Sequence, residues 1–159
     1  MNLVVSDIDG VIANCEHRLS WAKAKLYGEF YSRVGMDEPI PDGINLIRRL
    51  TLSSEAGDDM LVFLTGRREE CREETIHWLN RHFNYPYDAL YMRPEGNHRK
   101  ARELKKELYA EIVRMYQNRG LSFDHVFYID DDPDNVQAIC DGDEHVTGLT
   151  FGIKRMKEE

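Results

Sequence analysis

The chain has 159 residues, of which 42% are hydrophobic and 10% aromatic, as is typical of a globular protein. This length predicts a single domain over residues 1–159. The formal charge of −8 at neutral pH argues against a protein that coats nucleic acid through a broad basic surface, because phosphate contacts need cationic side chains. No apolar run approaches the roughly 20 residues that span a bilayer, so we expect no membrane contact.

Cysteine usage and the N-terminus bear on the cellular compartment. Cys15, Cys71 and Cys140 are widely spaced and form no Cys-x-x-Cys pair, which favours reduced thiols over a disulfide framework or a zinc site. The N-terminus lacks the basic region of a signal peptide and runs directly into a predicted strand. These features predict a cytoplasmic protein.

The apolar pattern alternates short strand-like segments with helix-like segments along the chain. The predicted strands are Leu3–Ser6, Met60–Thr65, Ala89–Met92, Val126–Ile129 and Val146–Phe151. The predicted helices are Leu19–Tyr31, Asp42–Leu50 behind Pro41 with Asp42 as its cap, Glu69–Phe83, Arg99–Tyr116 and Asn135–Cys140. This alternation predicts an α/β fold, a three-layer α/β/α sandwich around a parallel sheet. Residues 14–41 leave room only for a small cap insertion, so we expect little or no cap.

The first polar motif is Asp7-Ile8-Asp9-Gly10, directly after the first predicted strand. Two carboxylates at a strand end can share Mg²⁺, which prefers oxygen ligands, and a carboxylate can also attack phosphorus to form an aspartyl-phosphate. For an isolated Asp-x-Asp the simpler interpretation is two solvated acids in a turn.

The second motif, Thr65-Gly66-Arg67, lies between a predicted strand and a predicted helix. A hydroxyl and backbone N–H groups at a helix N-terminus would form an anion site, and Arg67 would add a bidentate phosphate donor. The alternative is a threonine cap followed by a surface arginine.

A basic loop and an acidic triplet complete the set. Residues 93–100 lead into a helix with Lys105 and Lys106. A lysine ammonium group there can stabilise a phosphoryl group, and the alternative is that these lysines form a solvated helix face. Asp130-Asp131-Asp132 follows a strand, and three adjacent acids favour a divalent cation, although Asp132-Pro133 can also begin a helix. Ligands bind at the carboxyl ends of parallel strands, so these motifs are expected to meet there.

Taken in this order, the four segments resemble the haloacid dehalogenase (HAD) superfamily of aspartate-nucleophile phosphatases, over about residues 3 to 140. The resemblance implies a Rossmann-like sheet, a Mg²⁺ cofactor and an aspartyl-phosphate intermediate. It implies catalytic roles for Asp7, Asp9, Thr65 and Lys105. It implies a metal site at Asp7, Asp9, Asp130 and Asp131, with the backbone carbonyl of Asp9 taking part.

A closer resemblance is to the 3′-phosphatase domain of phage polynucleotide kinase/phosphatase. Arg18 follows the first motif as in that group, and Met92–Lys105 resembles its strand-Arg-x-x-Gly-Asp-x-Arg-Lys-Asp-x-x-x-Lys segment. By this register Lys105 is the motif lysine and Lys100 the runner-up, while Asn97, a possible helix cap, and Ala101 replace aspartates. The implied substrate contacts are Gly66, Arg67, Arg18, Arg93 and Lys100.

This resemblance implies removal of 3′-phosphate from nucleic-acid ends. A nucleoside monophosphate phosphatase remains an alternative, as do a sugar- or lipid-phosphate phosphatase and a catalytically silent HAD-like nucleotide-binding protein. A response-regulator receiver is disfavoured because its acidic pair lies near the N-terminus and its phosphoacceptor near mid-chain. The chain carries no kinase P-loop, so no 5′-kinase activity is expected from it.

Overall fold

The computed structural model describes residues 1–52 and 58–152, and a parallel β-sheet forms its centre. The strands are β1 (Asn2–Ser6), β2 (Ala13–Asn14), β3 (Glu38–Pro39), β4 (Met60–Arg68), β5 (Ala89–Arg93), β6 (His125–Asp130) and β7 (Val146–Thr150). The five longer strands form one parallel sheet in the order β5-β4-β1-β6-β7. The five predicted strands are therefore confirmed, and β1 lies in the middle of the sheet.

Helices cover both faces of this sheet. They are α1 (Leu19–Lys23), α2 (Tyr27–Ser32), α3 (Pro41–Thr51), α4 (Arg72–Trp78), α5 (Ala101–Asn118) and α6 (Pro133–Cys140). Successive side chains of a strand point to opposite faces, so Val4 packs in one buried cluster with Ile47 of α3 and Val5 packs in another with Leu108 of α5. The predicted three-layer α/β/α sandwich is confirmed.

The helix predicted over Leu19–Tyr31 is wrong in one respect, because it is two helices. Lys25 has a left-handed backbone with φ of 58°, which a continuous helix does not allow. The N–H of Leu26 donates to the carbonyl of Trp21, and that of Lys25 to the carbonyl of Ala22. This pair of bonds is a Schellman motif, which ends α1 and lets the chain turn into α2.

The other helix starts also differ from the prediction, by two residues for α5 and α6 and in local structure for the two described next. Pro41 occupies the first turn of α3, so Asp42 lies inside the helix and does not cap it. The segment predicted as Glu69–Phe83 begins with a 3₁₀ turn at Glu69–Cys71, continues as α4 and ends in a π-helical turn at Leu79–Phe83. The proline explains the first difference, because its ring fits the first helical position, where a missing N–H costs nothing.

The segment between β2 and β3 is small. Ala13 and Asn14 pair antiparallel with Pro39 and Glu38, and this ladder closes the base of the segment. Two short α-helices and two 3₁₀ turns fill the space between these strands. A small insertion at residues 14–41, within one domain spanning residues 1–159, stays a prediction. Within the described ranges, no helix is both long enough and apolar enough to span a membrane.

Candidate active site

The carboxyl ends of β1, β4, β5 and β6 surround one open cavity of about 320 Å³. Both aspartates of the first motif reach it, together with residues from the helices that follow these strands. The residues that line it include Asp7, Asp9, Tyr31, Gly66, Arg67, Arg93, Lys105 and Asp131. Parallel strands place their carboxyl ends at one edge, so motifs far apart in the chain meet here as expected.

Lys105 joins the first and last motifs. Its Nζ lies 2.8 Å from Oδ2 of Asp7 and 2.7 Å from Oδ2 of Asp130, and all three residues are buried. Burial alone lowers the pKa of the Lys105 ammonium, but the two carboxylates more than offset it, so the net shift is upward. A permanent positive charge therefore lies between these acids.

Asp130 is held rigidly by four further contacts. Oδ2 accepts a hydrogen bond from the hydroxyl of Tyr128 at 2.7 Å, and Oδ1 accepts one from the backbone N–H of Asp132 at 3.0 Å. The side-chain amide of Asn135 lies 3.3 Å from both oxygens. Burial raises the pKa of Asp130, but Lys105 and these donors outweigh it, so the carboxyl stays ionised. The sequence prediction did not include Tyr128 or Asn135.

Three carboxylates gather at the floor of the cavity. Oxygens of Asp7, Asp130 and Asp131 lie within 4.8 Å of one another, which is a spacing suited to a shared cation. Burial and the charge of Asp130 raise the pKa of Asp131 to about 7, and burial raises the pKa of Asp7 well above its usual range despite Lys105. Among the described residues, the Asp9 side chain is not part of this set.

Asp9 instead contacts two buried arginines. Its Oδ1 lies 2.8 Å from Nη2 of Arg18 and 2.7 Å from Nη2 of Arg67. Both guanidinium groups also contact Oδ2 of Asp37 at 2.8 Å, and both arginines have essentially no exposed surface. This differs from the expectation of free phosphate donors, because carboxylates already occupy both arginines. Burial raises the pKa of Asp9, but Arg67 and Arg18 outweigh it and lower the pKa.

Asp37 is a further residue that sequence reasoning missed at this site. It is 2% exposed, and its Oδ1 accepts a hydrogen bond from Nε of Arg18 and contacts Nε2 of His17. The indole N–H of Trp78 donates to its backbone carbonyl at 2.8 Å. Nothing local marks Asp37 as special, since it is one acid in a short loop. Its role is visible only once Arg18 and Arg67 are brought together.

The Thr65-Gly66-Arg67 motif lies inside β4 and not at a helix N-terminus, so the predicted helix-terminal anion site is wrong. β4 continues to Arg68 with an irregular register against β5 beyond Leu64. The hydroxyl oxygen of Thr65 accepts a hydrogen bond from the backbone N–H of Arg67 at 3.1 Å. Gly66 lines the cavity, while Thr65 is buried behind it.

The basic loop contributes Arg93 but not Lys100 to the cavity lining. Nε of Arg93 donates to the carbonyl of Gly66 at 3.3 Å, and Nη1 donates to the carbonyl of Arg99 at 2.7 Å. Lys100 is exposed at the start of α5. Asn97 does not cap α5 as predicted, because its side chain accepts from the N–H of Arg99 within the loop.

Asp132 caps α6, as the acidic triplet allowed. Its Oδ1 accepts a hydrogen bond from the N–H of Asp134 at 2.9 Å, and Pro133 occupies the first turn. An aspartate at this position accepts a hydrogen bond from a helix N–H that would otherwise be unpaired. Its negative charge also interacts favourably with the positive end of the helix dipole. The three acids therefore differ in role, since Asp130 and Asp131 join the carboxylate cluster with Asp7, while Asp132 caps the helix and also lines the cavity.

The match of a family model, together with the parallel α/β sheet and the acidic cluster at its carboxyl edge, identifies an enzyme of the HAD phosphatase class. Within that class, the family model for the phosphatase domain of polynucleotide kinase PNKP matches residues 1–139. The chain belongs to this family.

Individual relatives are similar over part of their own length. A protein of Autographa californica nuclear polyhedrosis virus, described as a bifunctional polynucleotide kinase/RNA ligase, is 29% identical over 121 residues, which is 76% of this chain and 16% of that protein. The chain thus spans less than a fifth of this relative.

Two solved structures share the fold. A chain of the Pnkp1/Rnl/Hen1 complex aligns with a TM-score of 0.72 and 22% identity, over 96% of this chain and 47% of that one. The D,D-heptose 1,7-bisphosphate phosphatase of B. bronchiseptica, solved with magnesium and phosphate, aligns with a TM-score of 0.57 and 20% identity, over 87% and 74%. At these identities the likeness concerns the fold alone.

Proposed function

We propose that this protein is a Mg²⁺-dependent phosphomonoesterase that removes 3′-phosphate from nucleic-acid ends through an aspartyl-phosphate on Asp7. The observation that carries the proposal is the position of Asp7, whose carboxylate lines the open cavity and lies 2.8 Å from Nζ of Lys105. Membership of the PNKP phosphatase family supports a nucleic-acid end as the substrate. A phosphorylated end would enter beside Gly66 and Arg93.

The carboxylate cluster fits Mg²⁺. Hard cations prefer oxygen ligands, and Asp7, Asp130 and Asp131 supply three carboxylates within 4.8 Å. Burial is the main cause of the raised pKa of Asp7 and of Asp131, and the neighbouring carboxylates raise it further, so added positive charge would stabilise the cluster. When bound, Mg²⁺ would supply that charge and attract a phosphate oxygen. Asp9 can contribute to Mg²⁺ binding only through its backbone carbonyl, because its carboxylate contacts Arg18 and Arg67.

In the first step, a carboxylate oxygen of Asp7 forms a bond to phosphorus while the bond from phosphorus to the 3′ oxygen breaks. Lys105 and the N–H of Gly66 stabilise the charge on the transferring group, which is where such groups lower the barrier most. Thr65 positions this backbone through its hydrogen bond with the N–H of Arg67. The leaving alkoxide takes a proton from Asp9.

In the second step, Asp9 accepts a proton from the water that attacks phosphorus and releases Asp7. Arg67 and Arg18 keep the pKa of Asp9 low in the free site, so the carboxyl must gain its proton as substrate binds. A bound phosphate dianion favours this, because a nearby negative charge raises a carboxyl pKa. The buried arginines therefore position Asp9 rather than bind substrate.

The test is phosphate release with Mg²⁺ from a matched panel of substrates. The panel contains a 3′-phosphorylated oligonucleotide, its 5′-phosphorylated isomer, nucleoside 3′- and 5′-monophosphates and a sugar phosphate. We expect hydrolysis of the 3′-phosphorylated oligonucleotide by the wild type and none by Asp7→Asn. Asp42→Asn, at an exposed position of α3, is the matched control.

Full activity of a folded Asp7→Asn protein would overturn the mechanism. Preference for mononucleotides would make the protein a nucleotidase. Binding of nucleotide without hydrolysis of any substrate would identify a silent nucleotide-binding protein.

A further inference from the structure

A second groove opens directly beside the catalytic cavity. It has a volume of about 330 Å³, within the range of small-ligand sites, and Tyr31 and Arg93 line both it and the catalytic cavity. Tyr27, Arg68, His98 and Arg99 also line it. We call it the strand groove. The catalytic cavity and the strand groove therefore meet at Tyr31 and Arg93.

The lining combines aromatic rings with positive charge. The guanidinium of Arg68 lies 5.0 Å from the ring centroid of Tyr27 and 5.2 Å from that of Tyr31. Tyr27 is 40% exposed, although a large apolar ring is usually better buried. In the described part of the chain, Arg68 forms no ion pair, so its charge faces the groove uncompensated by an acid.

The charge of the strand groove contrasts with the rest of the molecule. The chain carries a net charge of −8, yet no described residue that lines this groove is acidic. Arg99 is partly neutralised, because it pairs with Glu107 and, at 4.0 Å, with Glu103. Among the described residues that line the groove, Arg68 and Arg93 form no ion pair with an acid. Arg93 also lines the catalytic cavity, so Arg68 is the unpaired cation that lines this groove and not that cavity.

The surroundings also indicate a direction. A neighbouring depression shares Tyr27, Tyr31 and Arg68 with the groove, but Glu70 and Glu74 line its far side. A phosphate backbone would be repelled there. The favourable route from the catalytic cavity therefore runs past Arg93 toward Arg68 and Arg99.

We propose that the strand groove binds the nucleotide on the 5′ side of the 3′-phosphorylated terminal nucleotide. The base of this bound nucleotide stacks on Tyr27, and Arg68 holds its phosphate. This inference rests on the proposed function. Exposed aromatic rings flanked by cations are how proteins hold single strands, since every base has a face that stacks. A groove of about 330 Å³ has room for one unpaired nucleotide. The protein is then a phosphatase for single-stranded 3′ ends that prefers oligonucleotides to mononucleotides.

The experiment compares kcat/KM for three substrates: single-stranded tetrathymidylate with a 3′-phosphate, thymidine 3′-monophosphate and a blunt duplex with a 3′-phosphate. We expect the wild type to prefer the tetranucleotide to the mononucleotide by about tenfold or more. Tyr27→Ala should reduce that preference about fivefold or more, in line with the loss of one stacked base. Arg68→Ala should reduce it by a similar factor through the loss of one phosphate contact. Tyr27→Phe should retain it, because the ring remains.

Salt dependence separates the two roles. Arg68→Ala should lower the slope of log affinity against log salt by about 0.7, as for one phosphate contact to a single strand, while Tyr27→Ala leaves the slope unchanged. Arg114→Ala is the control for the salt slope, since it also removes one positive charge. Arg114 is exposed near the C-terminal end of α5, whereas the groove residue Arg99 lies just before the N-terminal end.

Binding of fluorescein-labelled tetrathymidylate 3′-phosphate to Asp7→Asn protein, with and without the two substitutions, provides a readout independent of turnover. Tight binding that weakens with Tyr27→Ala, without hydrolysis by the wild type, would support the groove and reject the proposed function. Equal kcat/KM for mononucleotide and tetranucleotide would overturn the groove while retaining the phosphatase. Preference of the wild type for the duplex would overturn the groove proposal as well. So would substitutions of Tyr27 or Arg68 that lower kcat/KM equally for the tetranucleotide and the mononucleotide.

Discussion

The ammonium nitrogen of Lys105 lies 2.8 Å from Oδ2 of Asp7, so a buried cation faces the proposed nucleophile directly. The same nitrogen contacts Asp130, and this places one lysine between the first and last motifs. Such a group is preorganised, since its position does not have to change as charge develops on the transferring phosphoryl group.

Lys105→Met should lower kcat by about 10² to 10³, the usual effect of removing one preorganised donor. Lys100→Met is the matched control, because Lys100 belongs to the same segment but is exposed and does not line the cavity. We expect the control to stay within about twofold of wild type. Steady-state phosphate release from a 3′-phosphorylated oligonucleotide measures both. Equal losses in the two variants would contradict the assignment of Lys105.

Asp37→Asn should destabilise the fold and lower activity together. The substitution leaves Arg18 and Arg67 buried with only Asp9 as a carboxylate partner, and breaking a buried ion pair costs about 3–5 kcal/mol of unfolding free energy. Urea unfolding gives the stability, and kcat for the folded variant gives the effect on Asp9. Asp42→Asn should change neither. Unchanged stability of Asp37→Asn would show that the arginines find other partners.

Mg²⁺ should raise the melting temperature of the wild type, because an ion that binds only the folded state stabilises it by mass action. At a concentration 100 times the dissociation constant this amounts to about 2.7 kcal/mol. Asp131→Ala should lose most of the shift, whereas Asp134→Ala, an exposed acid nearby, should retain it. Thermal scans with EDTA and with Mg²⁺ measure the difference. A full shift in Asp131→Ala would remove this residue from the metal site.

Gly10→Ala should increase the Mg²⁺ concentration needed for half-maximal activity. A Cβ at this position would lie 2.1 Å from Oδ2 of Asp131, and the backbone has a φ of 79°, which costs a non-glycine residue about 1–2 kcal/mol. Asp131 would have to move away from Asp7 and Asp130. Gly35→Ala is the control, since its Cβ would meet no atom within 4 Å. Mg²⁺ titrations of phosphate release compare the variants, and identical curves would refute the prediction.

The strands and the order of the motifs were predictable because their signals are local. Short apolar runs ending in Asp7, Thr65 and Asp130 indicate buried parallel strands, and the carboxyl ends of such strands meet at one edge. The choice of Lys105 over Lys100 also has a local signal. Lys105 lies beside Leu104 on the face of α5 that carries Leu108 and Ile112, so its burial follows from helical spacing.

Helix boundaries were less predictable, because the backbone conformation of a single residue can end a helix although the hydrophobic pattern around it continues. Lys25 takes a left-handed conformation that lysine rarely adopts, and only the surrounding Schellman bonds reveal it. The apolar run of β4 ends at Leu64, but the strand continues through the Thr65-Gly66-Arg67 motif because it pairs with β5 again at Arg68 after an irregularity in register.

The sequence by itself thus determined the sheet, the motif order and the phosphatase family, since each depends on residues close together in the chain or on matched motifs. Only the tertiary structure decided what Arg18 and Arg67 do. Their partners Asp9 and Asp37 are separated from them by 9 to 58 positions, and no local pattern encodes such pairings. The same reason applies to the strand groove, where the fold brings Arg68 over two tyrosines of α2.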